Sequence, residues 1–202
     1  MYTEQMASGK TYTAHSLAGP LISRSRRNRS VLRFCLLFAL YATCFIGLVG
    51  VVGVYTGLLE TFSEFLAVVT GMVVNAFGIA ARSTGILVIH NTGFAIEITY
   101  RCTGVLQAAF FISAVLALPY SFRTKKVPLA TGTLVILAAN LIRILAVYLV
   151  GVFAFPWVRL AHDVVGELFM IVVTVLAWRV GLRYMETRLH RDAPGSDVAT
   201  VP

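Results

Sequence analysis

Tyr100-Arg101-Cys102-Thr103-Gly104 is the stretch on which the reading of this chain turns. Before it, Phe94, Ile96, Ile98 and Tyr100 alternate with Ala95, Glu97, Thr99 and Arg101, the period of a half-buried strand. After it an apolar run reaches Leu118 and stops at Pro119, which reads as a helix over about residues 103–118. A thiol thus stands where a β segment ends and an apolar helix begins. A helix N-terminus favours the thiolate, the nucleophilic form of cysteine. Cys102 is therefore a candidate nucleophile, supported by Thr103 and Gly104. The plainer reading is a small buried side chain, while Cys35 and Cys44, inside the first apolar span, read as small hydrophobes.

Outward on the N-terminal side, residues 86–100 read as a β-hairpin whose turn is Asn91-Thr92-Gly93. Open strand edges carry polar groups that lipid cannot satisfy, so this hairpin belongs in an aqueous layer. The rest of the chain does not look water-soluble. It is 58% hydrophobic and 13% charged with a mean hydropathy of +0.82, against about 45–50% and about 25% in soluble domains.

The net charge of +8 suits nucleic acid until the charges are placed. Lys10, Arg24, Arg26, Arg27, Arg29 and Arg33 lie at the start of the chain; Arg123, Lys125 and Lys126 share one loop; Arg179, Arg183, Arg188 and Arg191 lie in the tail. Each group flanks an apolar span, the pattern that marks the cytoplasmic side of a membrane protein, so no nucleic-acid partner is expected.

Residues 1–30 read as a disordered basic cytoplasmic tail, 31–183 as one membrane-embedded domain, and 184–202 as a second cytoplasmic tail. The apolar run over residues 31–55 is too long for a signal-peptide core and reads as a retained first span. Further spans are expected over about 103–118, 127–152 and 163–177. Residues 58–81 carry a polar or small stripe (Glu60, Glu64, Ala67, Gly71, Asn75, Gly78, Arg82) and read as an interfacial or inward-dipping helix, since the charge pattern closes only if this segment does not cross once. The fold class is all-α integral membrane: a bundle of about four to six transmembrane or interfacial helices with a short outer β-hairpin before Cys102. It is expected in the plasma or inner membrane, with the Cys102 end facing outward.

Two further polar points fall at the depth of Cys102 on this topology. Arg143 interrupts an apolar span, where an arginine costs a few kcal/mol and normally has a partner and a task. Asn140 shares its helix face, and together they offer donors suited to a developing oxyanion. The plainer reading is a structural anchor paired with Glu60, Glu64 or Glu167. His162 heads the last span and is placed to act as general base and then acid. His15, His90 and His190 read as bland. No CxxC, HExxH or Walker-type glycine loop occurs, so neither metal nor cofactor is expected.

At these residues the chain resembles the exosortase/archaeosortase family of membrane cysteine transpeptidases. The resemblance covers roughly residues 84–180 and rests on Gly93-Phe94-Ala95-Ile96-Glu97-Ile98 leading into Cys102-Thr103-Gly104, on Asn140-Leu-Ile-Arg143, and on Ala161-His162 with Gly166 four residues on. It implies that Cys102 is the nucleophile and that His162 and Arg143 complete the site. It also implies a secreted protein substrate whose C-terminal sorting signal comprises a short motif, one transmembrane helix and a basic end. Such a substrate would be cut through a thioester and passed on for surface attachment. Two other classes fit the residues: a non-enzymatic carrier or assembly factor in which Arg143 binds an anion or a partner helix, and a thioester-forming acyl carrier for lipids.

Overall fold

The longest apolar runs fold as helices, and the polar or glycine-containing breaks between them set where each stops. A computed structural model describes residues 15–192. Its elements are α1 (His15–Thr56), α2 (Leu58–Ala76), β1 (Ala81–Thr84), β2 (Leu87–His90), β3 (Ala95–Glu97), a 3-10 turn at Tyr100–Cys102, α3 (Val105–Ala117) and α4 (Phe122–Phe153). A 3-10 turn (Phe155–Trp157), a helical turn (Val158–Leu160) and a π-helical turn (Ala161–Val165) then lead into α5 (Gly166–Asp192).

Among the described residues, four stretches are long and apolar enough to cross a bilayer: Asn28–Gly53, Leu58–Ala76, Phe122–Phe153 and Phe155–Arg191. The chain has the helix lengths and composition of a membrane protein, as its sequence led us to expect.

Several boundaries differ from that expectation, and Arg123, Lys125 and Lys126 lie in the first turns of α4, capped by Ser121, where a loop was expected. The basic run Arg24–Arg29 belongs to α1, so helix replaces the expected disordered chain over residues 15–30, and α5 runs past the expected domain end at residue 183 to Asp192. Arginine and lysine are good helix formers, and an apolar span next to them supplies a ready nucleus. Residues 1–14 and 193–202, the remainder of the two expected tails, lie outside the described residues. The span expected over about 103–118 is a helix of 13 residues, only about 20 Å long and short of the roughly 30 Å hydrocarbon core. Gly104 at φ 77° bounds it on one side and extended Leu118 on the other. The buried Lys125 Nζ donates to the Leu116 carbonyl at 2.8 Å, satisfying a carbonyl that the helix end leaves free.

The hairpin forms as expected, with β2 antiparallel to β3 and Gly93 at φ 91° in the turn. A third strand, β1, pairs with the far side of β2, matching Ala81 to His90 and Thr84 to Leu87. It is tied to α2 by side chains of the stripe that the sequence made conspicuous. Asn75 donates to the Ala81 carbonyl at 2.8 Å and accepts from the Ala81 N–H at 2.9 Å, while Ser83 donates to the Ala67 carbonyl at 2.9 Å. Gly71 has no room for a Cβ because Ser83 fills the space. The small residues of the stripe thus seat a strand, while Glu60 and Glu64 stay exposed.

Packing divides into two cores joined by α4. One gathers Leu66, Val74, Val88, Ile98, Ile144 and Tyr148 from α2, the sheet and the C-terminal half of α4. The other gathers Phe111, Val115, Ile136, Met170 and Met185 from α3, α4 and α5. Gly132 admits the Phe111 ring to α4 in the second core. Asn140 and Arg143 lie between the two clusters.

Candidate active site

Because α4 changes partners at its middle, the two polar residues there are enclosed: Asn140 is 0% and Arg143 4% exposed. Asn140 Nδ2 donates to the carbonyl of Cys102 at 2.6 Å. The amide therefore holds the backbone of the candidate nucleophile, a different task from the oxyanion donation anticipated for it. Thr103 is buried and its Oγ1 donates to the Tyr100 carbonyl at 2.6 Å, which fixes the same turn from within.

Gly104 completes the clamp. It holds φ 77°, and a Cβ there would lie 2.9 Å from the Asn140 Cβ. Gly104→Ala is expected to cost about 1–2 kcal/mol from backbone conformation alone, and more from the push on Asn140. The check is a lowered apparent Tm together with altered thiol reactivity at Cys102.

Cys102 stands three residues before α3, at the end of the Tyr100–Cys102 turn. Its sulfur partners are side chains: His162 Nε2 at 3.5 Å and, more weakly, Thr99 Oγ1 at 3.8 Å. The expected seat at the helix N-terminus thus gives way to a seat beside an imidazole. His162 Nδ1 lies 2.8 Å from Asp163 Oδ1. Donating Nδ1–H to that carboxylate leaves Nε2 as the basic nitrogen facing the thiol. The π-helical turn over Ala161–Val165 carries both residues, and such turns recur at functional sites. Arg159 approaches Asp163 at 3.6 Å, an exposed pair worth little by itself.

Arg143 reaches the same turn from α4. One terminal nitrogen, Nη2, donates to Glu167 Oε1 at 2.6 Å and to the His162 carbonyl at 3.3 Å. Its buried Nε–H has no partner. Gly166 makes room for this guanidinium, since a Cβ there would come within 2.6 Å of Nε. The structure selects Glu167 as the partner among the three carboxylates that the sequence offered, and Glu60 and Glu64 form no ion pair with Arg143.

Cys102, Arg143 and His162, with Asp163, line one cavity of about 410 Å³. The rest of its lining is mostly apolar, Phe94, Ile96, Val147, Phe155 and Val158 among it, with Glu97 and Arg159 as charged exceptions. A larger cavity of about 940 Å³, beyond the Tyr100–Cys102 turn, touches Glu167 but none of Cys102, Arg143 and His162. Chemistry, not volume, marks the smaller one. Among the described residues no cluster of three or more His, Cys, Asp or Glu is placed to hold a metal ion.

Sequence reasoning missed Asp163 as a partner of His162. The signal was adjacency alone, since an aspartate beside an interfacial histidine reads as a solvated neighbour. Fold and site together define a helical protein with membrane-length apolar helices and a cysteine–histidine–aspartate chain beside a buried arginine. No protein-family profile, curated protein or solved structure matches the chain.

Proposed function

We propose that the chain is a membrane cysteine transpeptidase or endopeptidase of the exosortase/archaeosortase kind, cutting C-terminal sorting signals of secreted proteins through a thioester. The observation that carries this reading is the Cys102 Sγ–His162 Nε2 approach of 3.5 Å, with Asp163 orienting the imidazole, in a cavity that Arg143 also lines. Nucleophile, base and orienting group at hydrogen-bond reach are the parts that covalent catalysis needs.

His162 Nε2 takes the thiol proton as Sγ attacks the scissile carbonyl. The negative charge on the resulting oxyanion is met by N–H groups of Arg143 that Glu167 leaves free. Collapse breaks the C–N bond, His162 returns the proton to the departing amine, and the substrate remains as a thioester on Cys102. An acceptor nucleophile, deprotonated by His162, then releases it.

The three basic segments place the start of α1, the start of α4 and the end of α5 on the cytoplasmic side in this reading, with α3 and residues 118–121 together making the inward pass. The sheet, Cys102 and the π-helical turn then face outward. The sheet packs on α2 and on the outer half of α4, so α2 stays in the outer layer with it, because strand edges are not satisfied in lipid. A site there reaches a peptide just outside the transmembrane helix of a co-anchored substrate, at high effective concentration.

The test is the intact mass of the protein purified after co-expression with candidate tail-anchored secreted proteins. A peptide-sized, hydroxylamine-labile adduct on Cys102 in the wild type, absent from His162→Ala, is expected. No adduct with any candidate, together with a Cys102 inert to thiol reagents applied from outside the cell, would overturn the reading. A carrier reading rests on Arg143 as an anion site, and it gives no task to the 3.5 Å approach of Cys102 and His162. A lipid acyl carrier would leave a fatty chain on Cys102 in place of a peptide.

A further inference from the structure

β3 is the outer strand of the sheet, with β2 on one side and, among the described residues, no strand on the other. The His90 N–H donates to the Phe94 carbonyl at 2.7 Å, the Ile98 N–H to the Ile86 carbonyl at 2.9 Å, and Val88 stands opposite Ile96. Antiparallel alternation then turns the backbone groups of Phe94, Ile96 and Ile98 toward β2 and those of Ala95 and Glu97 off the open edge. Among the described residues no backbone partner meets Ala95 or Glu97 on that side. The edge is not on an open face of the molecule. Residues 94–98 all line the cavity that holds Cys102, Arg143 and His162.

We propose that this edge binds the substrate: an extended polypeptide segment adds to β3 as a fourth antiparallel or parallel strand, and the pairing aims its scissile carbonyl at Cys102. The proposal rests on the nucleophile reading of Cys102 and adds how the peptide is held. Strand addition supplies affinity through backbone hydrogen bonds and leaves specificity to alternate side chains. An added strand continues the pleat, so every second side chain points to the Phe94, Ile96 and Ile98 face, which packs with Ile144 of α4. Those positions take apolar side chains. The intervening ones lie on the face of Ala95 and Glu97, and the Glu97 carboxylate, in no ion pair among the described residues, favours a donor-bearing side chain there. A second copy of this chain fits the edge poorly, because the edge faces a cavity walled by Phe155 and Val158, with room for one extended segment and not for a folded partner.

The test uses the full-length chain in nanodiscs and five-residue peptidyl vinyl sulfones with apolar side chains at alternate positions. The Cys102 thiolate adds to the vinyl carbon β to the sulfone and the α carbon takes up a proton, so intact mass counts the addition. Methyl vinyl sulfone reports the thiol itself, and Cys102→Ala gives the background from Cys35 and Cys44. The peptide reagent is expected to react at least about tenfold faster than methyl vinyl sulfone. Backbone N-methylation at each position in turn should lower that preference by about threefold to tenfold at every second residue, the loss expected for one backbone bond, with little effect between. Ala95→Pro, which removes an outward N–H and no bond to β2, should lower the peptide-to-small-reagent ratio by a similar factor. A methylation scan without alternation, while methyl vinyl sulfone still alkylates Cys102, would overturn strand addition and leave the nucleophile standing. A Cys102 that reacts with neither reagent would overturn both.

Discussion

Cys102→Ala is expected to abolish processing of a tail-anchored substrate, a loss of about a thousandfold or more, while the protein still inserts at wild-type levels. The size follows from the way a nucleophile and its base act as a unit, so that losing either forfeits nearly the whole of their joint effect. Insertion survives because the side chain contributes little to the fold. The Tyr100–Cys102 turn is held by Asn140 on the Cys102 carbonyl and by Thr103 on the Tyr100 carbonyl, and both bonds use backbone atoms that alanine retains. Cys102→Ser is expected to fail almost as completely. A hydroxyl is far less acidic than a thiol, and the 3.5 Å separation from His162 suits the larger sulfur atom. A carrier would tolerate serine. Following the mobility of an epitope-tagged substrate on a gel, in cells carrying each variant, separates the two readings.

How much of this was legible depends on how loudly each residue contradicts its surroundings. Arg143 in an apolar span, His162 at the mouth of another and Cys102 at a strand–helix seam are each out of keeping with their neighbours, and the fold brings all three to one cavity. The hairpin was readable from Asn91-Thr92-Gly93 and the alternation after it. Strand β1 was not, because Ala81-Arg82-Ser83-Thr84 lacks the β-branched and aromatic runs that announce a strand, and it is held by Asn75 and Ser83 contacts to α2. The brevity of α3 was hidden for a related reason: an apolar run shows where a helix can extend, not where a positive-φ glycine starts it. The choice of Glu167 among three carboxylates, and the π-helical turn that points His162 and Asp163 at the site, are three-dimensional outcomes. Cys35 and Cys44, read as small apolar side chains, lie exposed on α1, which fits a helix surface turned toward lipid.

The Arg143–Glu167 pair should respond to mutation as a coupled unit. Arg143 is 4% exposed and the Glu167 side chain 47%, so the pair lies between an exposed bridge, worth about 0–1 kcal/mol, and a fully buried one, whose breakage costs about 3–5 kcal/mol. Glu167→Ala leaves the enclosed guanidinium without its carboxylate and is expected to cost about 2 kcal/mol, between those limits, lowering the apparent Tm by roughly 4–8 °C. Arg143→Ala removes the buried charge itself and also the donor that holds the His162 carbonyl. The double variant should therefore fall short of the sum of the single losses by about 1–3 kcal/mol, the signature of a direct contact. Activity should divide differently. Glu167→Ala keeps the guanidinium and its contact with the histidine turn, so part of the turnover survives, whereas Arg143→Ala loses both the tether and the oxyanion donors. Arg143→Lys should not rescue, because an ammonium cannot meet Glu167, the His162 carbonyl and an oxyanion with one planar fork. Equal, strictly additive losses in stability with full activity in Glu167→Ala would show the contact to be incidental. Activity lost in Arg143→Ala but stability unchanged in Glu167→Ala would assign Arg143 to chemistry alone.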